Sequence, residues 1–210
     1  MMDRSFYARS AVDLAPLLLG KLLCHRTEEG LAAGKIVEAE AYCGPEDDAA
    51  HSFGGRPTAR TAAMFGPPGR AYVFRIYGMH CCFNVVCARE GRPEAVLIRA
   101  LEPTEGLALM ARRRGTDELR QLCSGPGKLC QALGIGMEQY GADLCGEELY
   151  LLDRPAVSPA RICVSPRVNV DYALGYRDRP WRFFLQESPF VSRVPRRYAA
   201  VGTLAELRTR

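Results

Sequence analysis

The stretch from Lys35 to Tyr42, reading Lys-Ile-Val-Glu-Ala-Glu-Ala-Tyr, constrains the fold more than any other. Ile36 and Val37 favour an extended backbone. The two-residue period of a strand then puts Ile36, Glu38, Glu40 and Tyr42 on one face, and Val37, Ala39 and Ala41 on the other. The two alanines are small enough to lie beneath a closely packed neighbour. Two carboxylates and a phenol thus share a face where a half-buried strand ordinarily presents apolar groups to a core. A solvent-facing strand and a pocket wall carrying an acid or base both fit the segment taken alone.

Composition narrows the class without choosing between those readings. An apolar content of 48% and a charged content of 25% over 210 residues match a globular domain with one substantial core. The formal net charge of +4 is too modest to establish a polyanionic partner, although uneven placement of arginines can still create a basic face. The apolar stretch from Leu14 to Leu23 is broken by Pro16, Gly20 and Lys21, so no membrane association is expected. Nine cysteines, two of them adjacent at Cys81 and Cys82, form no Cys-x-x-Cys pair. The expectation is reduced thiols in a cytoplasmic protein, with no targeting segment, no metal and no cofactor.

Periodicity predicts a mixed fold. Ser10 to Leu23 reads as an amphipathic helix, with Asp13 and Pro16 suited to its start. Leu22 to Arg26 runs into a first strand, and Glu28-Glu29-Gly30 turns into the acidic strand. The loop from Cys43 to Thr61 is long enough to predict short helical turns or a function of its own. The best strand is Ala71 to Tyr77, with Tyr72, Phe74 and Ile76 on one face. A reversal at Gly78-Met79 leads into a second strand from His80 to Cys87, leaving Tyr77 at a hairpin tip. Ala95 to Leu101 reads as an interior strand, and a helix follows from Pro103 or Thr104. Leu149 to Leu152, Arg161 to Val164 and Trp181 to Leu185 complete the strands, and Val201 onwards reads as a peripheral tail. Recurrent β-α-β units, repeats and long linkers are missing. The predicted class is therefore α/β mixed (α+β): one compact domain over residues 1–210, its core about 5–195, with a mainly antiparallel curved sheet, flanking helices and a protruding β-hairpin.

Several residues break the local rules. Arg99 lies inside an apolar run, where a guanidinium needs a cleft, an anionic partner such as a carboxylate of the acidic strand, or a route to the sheet edge. Tyr77 either covers an edge of the core or serves as a rigid wedge between stacked bases. Arg56 and Arg60 are either solvated or within reach of phosphates, and His51 is either a surface or a pocket residue. Ser124-Gly125-Pro126-Gly127-Lys128 puts a glycine-rich turn and a helix start beside a lysine, a place that can receive a phosphate, but without the spacing of a nucleotide P-loop. Arg112-Arg113-Arg114 suits a helix C-terminus and so says little about nucleic acid.

Chemistry joins four features: Glu40, Tyr42, the Tyr77 hairpin and Arg99. A carboxylate in a partly desolvated cleft can orient a water and take its proton. Tyr42, Phe74 and His51 can form an aromatic slot for a planar group while Tyr77 stands outside it. Positive charge at the rim then suggests a flipped nucleobase and hydrolysis of its glycosidic bond. From the residues alone an unspecified enzyme, including a hydrolase using Glu38 and Glu40 as a carboxylate pair, remains open.

The segments Ile36 to Tyr42, Gly44-Pro45-Glu46-Asp47 with Ala50-His51-Ser52, Tyr77-Gly78-Met79 followed by Asn84, Leu101-Glu102-Pro103 and Leu122 to Leu129 together resemble the alkylpurine, or 3-methyladenine, DNA glycosylase family. The resemblance spans roughly residues 5 to 195. It implies a single metal-free domain that binds double-stranded DNA in the minor groove and excises damaged purines; a monomer is expected. By position, Glu40 resembles the water-activating base and Arg99 the basic residue set beside it. Tyr42, His51 and Phe74 match the base-binding pocket, Asn84 its floor, and Tyr77 the residue that fills the vacated space in the duplex. Arg56, Arg60 and Lys128 are candidates for the DNA backbone. Some relatives have tyrosine at Phe74, so the π-face survives while a hydroxyl is lost. A DNA-lesion binding module without catalysis is the alternative within this family. Whether the lesion is 3-methyladenine, 7-methylguanine, hypoxanthine or ethenoadenine is left open by sequence.

Overall fold

The computed structural model of the protein describes residues 1–208. The chain starts with α1 (Arg4–Tyr7) and α2 (Ala11–Leu18). The Ser10 hydroxyl accepts the Asp13 N–H and caps α2, so the helix begins earlier than Asp13 suggested, and Pro16 lies in its second turn. The helix also stops earlier than predicted: Gly20 takes a left-handed backbone, and β1 (Leu22–Thr27) pairs with β2 (Gly30–Tyr42).

The loop from Cys43 to Thr61 contains two short 3-10 turns, one of the outcomes its length predicted, and a third follows at Ala62–Phe65. β3 (Ala71–Ile76) and β4 (His80–Cys87) form the predicted hairpin. Its reversal is Tyr77-Gly78 rather than Gly78-Met79. Both residues have positive φ, 51° and 72°, and the Met79 N–H donates to the Ile76 carbonyl at 3.2 Å. Two left-handed positions match the right-handed twist of the flanking strands, which is why this turn suits a tight hairpin.

β5 (Glu94–Glu105) runs further than predicted, because pairing with β2 carries it past Pro103, and α3 (Leu107–Arg114) starts only afterwards. Then follow α4 (Leu119–Leu122), α5 (Pro126–Leu133), β6 (Leu149–Leu152), β7 (Ile162–Ser165) and β8 (Arg182–Leu185). The stretch expected to be a peripheral tail instead supplies β9 (Gly202–Thr203), which pairs with β7, and α6 (Leu204–Arg208). The sheet has the order β3-β4-β5-β2-β8-β7-β9, with β1 bridging β2 and β6, and its paired strands are antiparallel. The observed class is the predicted mixed α+β domain.

β2 is central because its first half pairs with β1 and its second half with β8, while β5 follows its other edge. The β2–β5 register carries three irregularities, two of them beside Glu38: Ile36 faces Leu101, Glu38 faces Ala100 and Ala39 faces Ile98. Val37 on one strand and Arg99 on the other are the residues left over. The simple alternation is thereby corrected. Ile36 packs into the main core with Ala39 and Ala41 instead of sharing the face of Glu38, while Val37 joins Ala100 and Phe190 in a separate small cluster. A bulge re-aims side chains, and here it lets both Val37 and Glu38 leave the main core. From Glu38 to Tyr42 the predicted alternation holds.

Among the described residues no helix is long and apolar enough to cross a membrane.

Candidate active site

A cavity of about 350 Å³ opens between the β3–β4 hairpin, the first half of β5, the loop after β2 and the segment following β7. Ordinary small-molecule pockets have volumes of this order. Tyr42, His51, Phe74, Asn84 and Arg99 line it, and Tyr77 stands at its mouth, 85% exposed. The structure therefore gathers every predicted pocket residue around one space. Tyr72, Phe74 and Ile76 face it together, as the alternation of β3 predicted.

Glu40 is fully buried one side chain behind the wall. Its three hydrogen-bond partners all line the cavity. The Val168 N–H donates to Oε1 at 2.8 Å, the Tyr42 hydroxyl donates to Oε2 at 3.0 Å, and Arg99 Nη1 approaches Oε2 at 3.5 Å. Burial and the neighbouring Glu40 push the Tyr42 phenol well above its ordinary value, so it stays protonated and able to donate. Asn169, next to Val168, takes a left-handed backbone with φ 60°, a conformation asparagine tolerates.

Glu38 has a different setting. It too is fully buried, but Arg99 Nε and Arg182 Nε donate to its Oε1 at 2.9 and 2.7 Å, and the Ser192 N–H and hydroxyl add 2.8 and 2.9 Å bonds. Burial opposes its ionisation. The two guanidiniums and Ser192 outweigh that, holding its carboxyl below the usual range. With both oxygens occupied, Glu38 is no second acid of a catalytic pair, and its place is structural support rather than surface. A third buried carboxylate, Asp47, pairs with Arg167, whose Nη2 lies 2.8 Å from Oδ1. The Arg167 guanidinium also stacks over Tyr42 at 4.7 Å and over Trp181 at 5.1 Å, backing the pocket wall.

The aromatic wall is tied together at its rim. Arg60 Nη2 donates to His51 Nε2 at 3.1 Å, which leaves the proton on Nδ1, 2.8 Å from the Tyr72 hydroxyl oxygen. His51 packs edge-on to Phe74 at 4.5 Å, and the Arg60 guanidinium covers Phe74 at 5.2 Å. Partial burial, with a smaller contribution from Arg60, lowers the His51 pKa to about 4. Burial raises the Tyr72 phenol to about 12. Asn84 Nδ2 donates to the Tyr72 carbonyl at 2.9 Å, fixing an amide that lines the cavity. Arg60 is thus part of the pocket rim as well as a surface cation. Arg56 stands on the exposed loop, and Lys128 lies in the first turn of α5, two residues from the cavity-lining Pro126. Gly127 lets this helix approach the hairpin, since a Cβ there would lie 3.2 Å from that of His80. Arg112 and Arg113 are paired with Glu29, and Arg114 with Gln131, consistent with a structural reading of that triplet.

Sequence reasoning passed over Arg167, Arg182, Asp47, Ser192 and Val168. Arg182 carried the same signal as Arg99, a guanidinium inside the apolar run Trp181 to Leu185. Val168 acts through its backbone and left no signal.

A model of the methylpurine-DNA glycosylase family matches residues 5–189. Among curated proteins, the chain is 48% identical over 199 residues to one from Desulfitobacterium hafniense, a match covering 91% of this chain and 98% of that one. It is 48% identical to one from Bacillus cytotoxicus (90% and 97% covered) and 44% identical to one from Alkaliphilus oremlandii (91% and 98% covered). All three carry the name "Putative 3-methyladenine DNA glycosylase". The chain belongs to the methylpurine-DNA glycosylase family, a class of DNA-repair hydrolases.

Proposed function

We propose that the protein is a monofunctional DNA glycosylase that releases alkylated purines from duplex DNA, with the damaged nucleotide flipped into the cavity and a water activated by Glu40. The observation that carries this reading is a buried carboxylate held by three lining residues at the inner end of an aromatic-walled cavity. In the proposed step, the water oxygen bonds to C1′ and the bond from C1′ to the base nitrogen breaks. The bonding pair leaves on the purine, and Glu40 takes the water proton. The sugar passes through an oxocarbenium-like state, whose positive charge the carboxylate stabilises.

Alkylation at N3 or N7 makes the purine a cation that leaves as a neutral base, and the π-faces of Tyr42 and Phe74 favour a cationic ring. Deaminated purines such as hypoxanthine must gain a proton or specific hydrogen bonds first, which makes them the slower class. Asn84 discriminates purines by their exocyclic group. Tyr77 fills the gap left in the duplex, while Arg56, Arg60 and Lys128 meet the phosphates. No lysine is among the described residues lining the cavity, so no amine stands ready to form a Schiff base, and strand cleavage is not part of the reaction.

The test is a duplex carrying one alkylated purine, incubated with the protein in the presence of a metal chelator. Free base and an intact abasic strand are expected. Glu40→Gln should lower single-turnover release by about 10²- to 10⁴-fold while keeping lesion binding. Binding without release by the wild type would mean a lesion-binding module instead.

A further inference from the structure

We propose that Glu38 is a positioning residue for Arg99: together with Arg182 and Ser192 it holds the Arg99 guanidinium off Glu40, so that Glu40 stays free to accept the proton of the attacking water. This deepens the proposed reaction and rests on Glu40 being its base.

The unequal sharing of Arg99 motivates it. Two carboxylates flank this guanidinium, yet Nε takes Glu38 at 2.9 Å while Nη1 stays 3.5 Å from Glu40, the outer limit of a hydrogen bond. Two glutamates and two arginines could have paired off evenly. Instead both arginines converge on Glu38 Oε1. Arg182 is fixed from outside the cavity: Nη1 donates to the Ser165 hydroxyl and the Tyr198 carbonyl, both at 3.0 Å, and its guanidinium lies 4.4 Å over the Phe184 ring. Ser192 clamps the other Glu38 oxygen through its N–H. The anchor therefore belongs to β8 and the segments around it, while the anchored residue is the one left over between Ala100 and Ile98 in the β5 register.

The chemical consequence follows from what a base requires. A guanidinium closed onto a carboxylate at full hydrogen-bond contact stabilises the ionised form and weakens it as a proton acceptor. The groups facing Glu40 are Tyr42 and Glu38 from its own strand, Arg99 from β5, Cys82 from β4, Arg182 opposite it on β8, and Arg167 beside Val168. Among these, Arg99 alone offers Glu40 a guanidinium N–H near hydrogen-bond distance in the described structure, and Glu38 is what holds its Nε edge. Removing the Glu38 charge frees Arg99 to close on Glu40.

The experiment is the pH profile of single-turnover release from a duplex carrying one 7-methylguanine. The fixed charge of that base removes any need to protonate the leaving group, so the acid limb reports the enzyme's base. Glu38→Gln is expected to move the acid limb to lower pH by about one unit, and to lower the plateau rate roughly tenfold. The double variant Glu38→Gln/Arg182→Met keeps the buried charges balanced should the single variant not fold, and is expected to show the same shift; Glu38→Asp should restore part of it. A limb unmoved in the folded variants, with only the active fraction reduced, overturns the proposal. Glu40→Gln measured alongside separates the two ideas. If it is inactive while the Glu38 variants keep the wild-type limb, the positioning role alone falls; if it stays active, the assignment of the base falls and takes the positioning role with it.

Discussion

The inner end of the cavity and the tip of its hairpin are built on opposite terms. At the inner end, Glu38, Glu40, Asp47 and Arg167 are wholly shielded from solvent, and each charge is met by several partners. At the tip, Tyr77 and Met79 are 85% and 75% exposed, and Tyr77 adopts a backbone that bulky residues seldom take. Each region reverses the usual rule of apolar inside and charged outside. The difference teaches what each is for. Buried charges with many partners hold a geometry that cannot shift without stranding a charge, which suits chemistry. An exposed aromatic on a two-residue turn can meet a large ligand from solvent, which suits recognition.

Breaking the inner end should cost most. Arg167→Met strands the Asp47 carboxylate in the interior, and is expected to destabilise the fold by about 3–5 kcal/mol, on the order of 10 °C in the melting temperature. An unchanged melting temperature would show that the buried pair is not needed to hold the wall. The same insult at the tip should leave the fold alone. Tyr77→Ser is expected to stay within about 0.5 kcal/mol of wild-type stability, yet to weaken binding of lesion-containing duplex by roughly 1–3 kcal/mol. A dissociation constant equal to wild type would remove the wedge role.

The smallest effect lies between the two, at the rim. Because the folded-state pKa of His51 is lowered to about 4 from an ordinary value near 6.5, its contribution to stability is fully present above about pH 6.5 and is lost as pH falls towards about 4. Glu38 acts in the same direction, its contribution fading as pH falls through and below the usual carboxylate range. An NMR titration of the His51 ring should find its midpoint near 4, rising modestly in Arg60→Ala. A midpoint at 6.5 would mean that the wall does not enclose the ring.

Much of this was legible from local pattern. The β3–β4 hairpin, the face of Tyr72, Phe74 and Ile76, and the pairing of Glu40 with Tyr42 follow from a period of two within one strand. The misfit of Arg99 in an apolar run called for a cleft, an anionic partner or a route to the sheet edge, and the structure supplies both the cavity and two carboxylates. What local pattern could not hold was decided by contacts between distant parts of the chain. Alternation carries no record of a register shift, so the bulge that turns Ile36 into the core arises only when β2 meets β5. Likewise the Val168 N–H reaches Glu40 across 128 positions of sequence, and Ser192 reaches Glu38 across 154. Which acids and aromatics share a face was set within single strands, because side-chain direction in a strand is a local property. Which of two neighbouring glutamates is locked by arginines and which is left beside the cavity was settled by long-range packing, because buried charges take their partners from whatever the folded chain brings within reach.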